Sequence, residues 1–176
     1  DNSTGGGWAD DLMNDSKYSM LLQHAKEGKF DSMMVAFPCS TFSIARFFDA
    51  PDGHGDRGPE PIRNHDYPDG LPENRLTSAQ VKELRSTNRL LDRTVDLAIA
   101  ARLSPAKTTI IFENPADRTT RGTPHFMEGI PHGSLFATSQ IKRFKQSVGD
   151  VSEVTFAYCR FGGDSQKDTT LLYTND

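Results

Sequence analysis

Two short apolar runs constrain the fold of this chain more than any other feature. Met33-Met34-Val35-Ala36-Phe37 stops at Pro38, and a second run at 108–112, β-branched and aromatic, stops at Glu113-Asn114-Pro115. The first, continuous and uncharged, suits a strand buried on both faces of a parallel sheet. Between them, Thr77 and Gln80 fit a capping box that opens a helix over 78–103. Val81, Leu84, Leu91, Val95, Ala98 and Ile99 keep helical spacing in that stretch, and Ser104-Pro105 ends it. Strand, loop, helix, strand is a βαβ unit, whose strands run parallel through a right-handed crossover. An α/β fold is therefore expected.

The remaining segments attach to that unit. Residues 1–7 read as a flexible N-terminus and 8–176 as a single domain, which a chain of 176 residues can supply with one core. Ser16 is placed to cap a helix over 17–27 that Gly28 ends. The stretch 49–76, dense in Pro, Gly, Asp and His, reads as a long functional loop with Phe47-Phe48 at its base. Leu135 begins an edge segment, with Thr138 and Ser139 beyond it. Segments 154–158 and 169–173 read as strands joined through a Gly162-Gly163-Asp164 turn, hence as an antiparallel pair.

Composition narrows the function classes. No apolar run reaches the roughly 18–20 residues that span a bilayer, and no signal-peptide pattern opens the sequence. Two cysteines are too few for a disulfide framework, so Cys39 and Cys159 read as free thiols in a reducing, intracellular compartment, with Cys159 inside an apolar strand. A net charge of −4 argues mildly against duplex DNA as a partner. Local clustering can override that sum, and Arg57, Arg63, Arg118, Arg121, Lys142, Arg143 and Lys145 are expected mostly in loop-like segments near the chemistry-bearing motifs. A short basic cluster is, however, usually a solvated face.

Parallel strands end on one edge, where α/β sheets bind ligands. Cys39 follows the first strand of the βαβ unit and Glu113 follows the second, so a thiol and a carboxylate should share that edge. A thiolate is a strong nucleophile. A carboxylic acid in a dry pocket can keep its proton and donate it. Together they can add to an electron-poor ring, sulfur to carbon, while the acid neutralises charge on a ring nitrogen. Ordinary structural roles compete: Cys39 as a small buried residue at a strand end, Glu113 as a helix-start acid, Asp11 as a turn residue. His54, Asp56, His65, Asp66 and Asp69 match no metal-ligand spacing and read as a solvated loop.

Ala36-Phe37-Pro38-Cys39-Ser40-Thr41-Phe42-Ser43 resembles the Gly-Phe-Pro-Cys-Gln-x-Phe-Ser motif of DNA cytosine-5 methyltransferases. Phe112-Glu113-Asn114-Pro115 is similar to that family's Glu-Asn-Val motif, and Asp10-Asp11-Leu12 to its adenine-contacting segment. The resemblance spans about 8–48 and 78–117. It implies a Rossmann-like methyltransferase sheet, mostly parallel with a C-terminal antiparallel hairpin. It also implies attack of Cys39 on cytosine C6, with Glu113 on the N3/N4 edge and a methyl group passing from S-adenosylmethionine to C5. Asp11 and Pro38 would contact the cofactor, Ser43, Asn114 and Arg160 the substrate, DNA would be the partner, and the long loop would close over a flipped base. Ser40 replaces the family's Gln, Pro115 replaces its Val, and no Gln-x-Arg-x-Arg motif is present. Gly5-Gly6-Gly7 has no strand before it, so the first βα units and the glycine turn that holds the cofactor are absent from this pattern. Two other readings remain open: a non-catalytic nucleic-acid or protein binding module, and a thiol hydrolase or transferase pairing Cys39 with His125 or His132.

Overall fold

The computed structural model describes residues 11–44, 60–129, 132–162 and 168–175. The expectations for 1–7, for Phe47-Phe48 and for the loop as far as residue 59, with His54 and Asp56, lie outside that set.

Strands β1 (Ser32–Ala36) and β2 (Thr109–Pro115) flank helix α2 (Ser78–Arg102), and they pair in parallel with Ala36 opposite Glu113. The βαβ unit is thus present. Thr77 accepts from the Gln80 amide and Gln80 answers with its side chain, closing the expected capping box. Helix α1 (Asp15–Lys26) precedes β1. Its cap is Asn14 rather than Ser16, because the Asn14 carboxamide reaches the amides of Ser16 and Lys17. Gly28 follows that helix at φ +70°, the left-handed conformation a helix end favours.

The second half contains a helix where the sequence suggests an edge segment. Instead of an edge segment, 135–137 form a 3-10 turn and α3 (Ser139–Val148) follows. Thr138 caps it through the Ile141 amide, and Ile141, Phe144 and Val148 supply the inward stripe. Strands β3 (Val151–Ala157) and β4 (Asp168–Thr174) are antiparallel, as expected from the turn signal.

The sheet order is β1-β2-β4-β3. Because β4 runs against both β2 and β3, β3 runs with β1 and β2. The sheet is therefore mixed by pairing rather than mostly parallel, with three strands sharing one direction and a reversed strand between two of them. Inward side chains Ile110, Phe112 and Leu172 join Leu91, Val95, Ala98, Ile141 and Phe144 in one core. Phe112 meets Phe144 edge-on at 5.1 Å, and each such fully buried side chain contributes about 1.5–3 kcal/mol.

Two expectations about the strands are corrected. β1 is an edge strand with one exposed face: Met34 is 67% accessible, so the apolar run is not buried on both sides. Glu113-Asn114-Pro115 does not terminate β2 but belongs to it, opposite Leu171, Thr170 and Thr169. Pro115, without an amide hydrogen, is tolerated there because β1 has already ended at Ala36 and makes no ladder on that side. No described helix is long and apolar enough to cross a membrane.

Candidate functional site

The parallel pairing of β1 and β2 puts the residues that follow them on one rim of the sheet. Phe37 is buried, whereas Pro38 and Cys39 are exposed. The Phe42 amide donates to the Cys39 carbonyl at 2.8 Å, closing a tight turn that presents the thiol. Cys39 therefore does not fill the ordinary role of a small buried residue. It stands three positions beyond Ala36, the partner of Glu113. With strands about 4.8 Å apart and roughly 3.5 Å of chain per residue, the two Cα atoms lie within about 15 Å.

Alternation along β2 divides its last residues between the two faces. Phe112 and Asn114 point to the helices, and Glu113 points the other way with Ile111. Glu113 is half-buried, and its Oε1 has no solvent-accessible surface. Asn114 is fully buried; its Nδ2 donates to the Phe37 carbonyl at 2.9 Å, tying the start of the Cys39 turn to β2. Its Oδ1 has no partner among the described residues. The carboxamide thus serves the backbone of the turn. Ser43, half-buried, follows Phe42 at the end of the same motif.

Two other sequence-designated residues are farther out. Asp11 is exposed ahead of α1, and its Oδ1 accepts from the Met13 amide at 2.8 Å, the geometry of a turn residue. Arg160 is exposed in the turn Tyr158–Phe161 after β3. Because β3 runs with β1 and β2, this turn leaves on the same rim, two strand positions from β2, or roughly 10 Å. Cys159 lies in that turn and is exposed, not held in an apolar strand.

The same rim carries a second polar cluster. Asp168, buried at the start of β4, accepts from Arg118 Nη2 at 2.8 Å and lies 3.5 Å from His125 Nδ1. Burial pushes the Asp117 carboxyl up, but hydrogen bonds from the Thr119 hydroxyl and amide and from the Thr120 hydroxyl outweigh it, so the group sits below its ordinary value. Burial holds His132 below the usual imidazole value, against the pull of Asp117 and with help from Arg118. His132 Nε2 is buried without a hydrogen-bond partner among the described residues. A cavity of about 300 Å³ opens beside this cluster, lined among others by Asp117, His125, Ser134, Thr155 and Thr170; neither Cys39 nor Glu113 lines it. Neither histidine is hydrogen-bonded to Cys39. Asp168 and Asp117 carried no signal in the sequence beyond the position of Asp117 just after a strand, because only the β2–β4 pairing brings them together.

The basic residues are less available than their sequence positions suggest. Arg143 pairs with Asp96 at 2.6 Å and approaches Asp92, Lys145 pairs with Glu153, and Arg118 pairs with Asp168. Arg63 is buried. Lys142, Arg143 and Lys145 lie on α3 rather than in a loop. No group of three or more potential metal ligands occurs among the described residues.

No family model, no curated protein and no solved structure matches the chain.

Proposed function

We propose that this chain is a divergent catalytic half of a cytosine-5 methyltransferase-like domain, in which Cys39 forms a covalent adduct with cytosine. The observation that carries the reading is the parallel β1–β2 register, with Ala36 opposite Glu113 and an exposed Cys39 turn just beyond. Three strands running one way, with a reversed strand inserted between the last two, support a Rossmann-like sheet. In this reading the Cys39 thiolate attacks C6 and forms the S–C bond. The ring's π electrons shift toward N3, and the Glu113 carboxylic acid delivers its proton there. Loss of the sulfur restores the ring. While the adduct lasts, C5 is nucleophilic and can exchange its hydrogen with water.

The residues present do not fit S-adenosylmethionine. Among the described residues no glycine turn closes a strand beside β1, and Asp11 stands exposed as a turn residue with its Oδ1 accepting from the Met13 amide. The chemistry that these residues carry is therefore addition to the ring and its reversal. The two halves of the reaction separate experimentally. A cytosine-containing oligonucleotide incubated in deuterated water reports addition alone, through exchange at C5. A 5-fluorocytosine oligonucleotide supplied with S-adenosylmethionine reports methylation, through a trapped adduct. Exchange that disappears in Cys39→Ala supports the reading, and a folded protein that gives none defeats it.

A binding module is the second reading, favoured by the ion pairs that already occupy Arg143, Lys145 and Arg118. Calorimetry with oligonucleotide and, separately, with S-adenosylmethionine distinguishes it. Binding of nucleic acid without exchange at C5 selects the module.

A further inference from the structure

The turn that presents Cys39 is held from behind by one buried side chain. Arg63 is 1% exposed, and all three of its hydrogen-bonding arms are occupied. Nε donates to Thr41 Oγ1 at 3.2 Å, Nη1 to the Pro68 carbonyl at 2.8 Å, and Nη2 to Asn88 Oδ1 at 2.7 Å. Its guanidinium carbon lies 4.3 Å from the centre of the Phe42 ring, which packs edge-on against Phe37. One side chain therefore grips two consecutive residues of the Cys39 turn and fastens them to the segment at 62–71 and to α2. The 132–134 segment lies against its other side: a Cβ on Gly133 would stand 2.6 Å from Arg63 Cβ, so glycine alone allows that approach.

A buried cation is an expensive choice for a linker. Burial pulls the Arg63 guanidinium down to about 10, against the opposing pull of Asp69 and Glu83. The three oxygens it donates to are neutral, so charge pairing does not explain the choice. Geometry does: a planar fork with five N–H groups fixes three directions at once and stacks on an aromatic face, which lysine or glutamine cannot do. Two of those four attachments, Thr41 and Phe42, lie two and three residues from the thiol.

We infer that Arg63 is a positioning residue for Cys39, setting where the thiol stands on the rim by clamping Thr41 and Phe42. The inference rests on the proposed role of Cys39 in covalent addition. It deepens that role by naming the residue that orders the nucleophile.

The test uses the full chain and has one readout that needs no activity. Cys159 is also exposed and lies in the separate turn that follows β3, so it serves as an internal reference thiol. Peptide-resolved iodoacetamide labelling of Arg63→Lys and Thr41→Val should show the Cys39 rate shifted about threefold or more from wild type, as the thiol loses its fixed surroundings, with Cys159 unchanged. Both variants should lose roughly tenfold in kcat for exchange at cytosine C5, with KM held within about twofold. Phe144→Leu, a core change on α3 that touches none of the four Arg63 attachments, should lose stability without altering either readout. Unchanged Cys39 labelling relative to Cys159 in Thr41→Val, which keeps the buried arginine, overturns the inference. No exchange in the wild type, with labelling still responsive, overturns the catalytic reading and leaves Arg63 as the clamp of an exposed thiol.

Discussion

Asn114→Asp tests the link between the two halves of the candidate site. In the wild type, Nδ2 donates to the Phe37 carbonyl at 2.9 Å from a side chain with no exposed surface. An aspartate there loses the donor and sets a carboxylate against a carbonyl oxygen in a dry interior. The group escapes by keeping a proton, whose O–H restores the bond. Its folded pKa is then raised, so the variant gains stability relative to wild type as pH falls. About three pH units separate an ordinary aspartic acid from neutrality, at ~1.4 kcal/mol each, so the variant is roughly 4 kcal/mol less stable at pH 7. Each unit of acidification returns up to ~1.4 kcal/mol, which closes the gap by nearly 3 kcal/mol at pH 5. For a domain of this size that is roughly 6–12 °C in the difference between melting temperatures. Asn114→Ala removes the same bond, at about 1–2 kcal/mol, with no pH dependence of its own. Paired thermal melts of the three proteins between pH 5 and pH 8 make the comparison. An Asn114→Asp gap that stays constant, or widens toward pH 5, refutes the idea that this bond ties β1 to β2.

Three further outcomes follow from the packing and charge of the rim. Because burial lowers the folded-state value of His132, its contribution to stability is complete above the ordinary imidazole value and is lost as pH falls through the folded one. Urea midpoints should therefore drop from pH 7.5 to 5.5 in the wild type and drop less in His132→Gln. Arg118→Met strands the buried Asp168 carboxylate and should cost about 3–5 kcal/mol, measured by chemical denaturation. Phe144→Ala opens a cavity against Phe112 in the core and should also cost about 3–5 kcal/mol, with no change in the labelling of Cys39.

The helix between the two parallel strands was legible because its signals are local. Thr77, Gln80 and the apolar spacing from Val81 to Ile99 act within a few turns of one another. The same holds for the parallel strands and for the antiparallel pair. Helix α3 is less legible, although Thr138, Ile141, Phe144 and Val148 carry a cap and a stripe, because its cationic positions Lys142, Arg143 and Lys145 resemble a loop-like basic cluster. Its three cationic groups needed no loop: two of them meet acids on α2 and β3.

By itself the sequence determined the βαβ unit, and so the shared rim of Cys39 and Glu113, because strand direction follows from a crossover connection. Only tertiary structure decided the rest. Pairing of β2 with β4 brought Asp168 beside Arg118 and His125 from far along the chain, and folding buried Arg63 beneath the Cys39 turn. Such contacts depend on which surfaces meet after the chain has crossed over, and no spacing within a single element encodes that meeting.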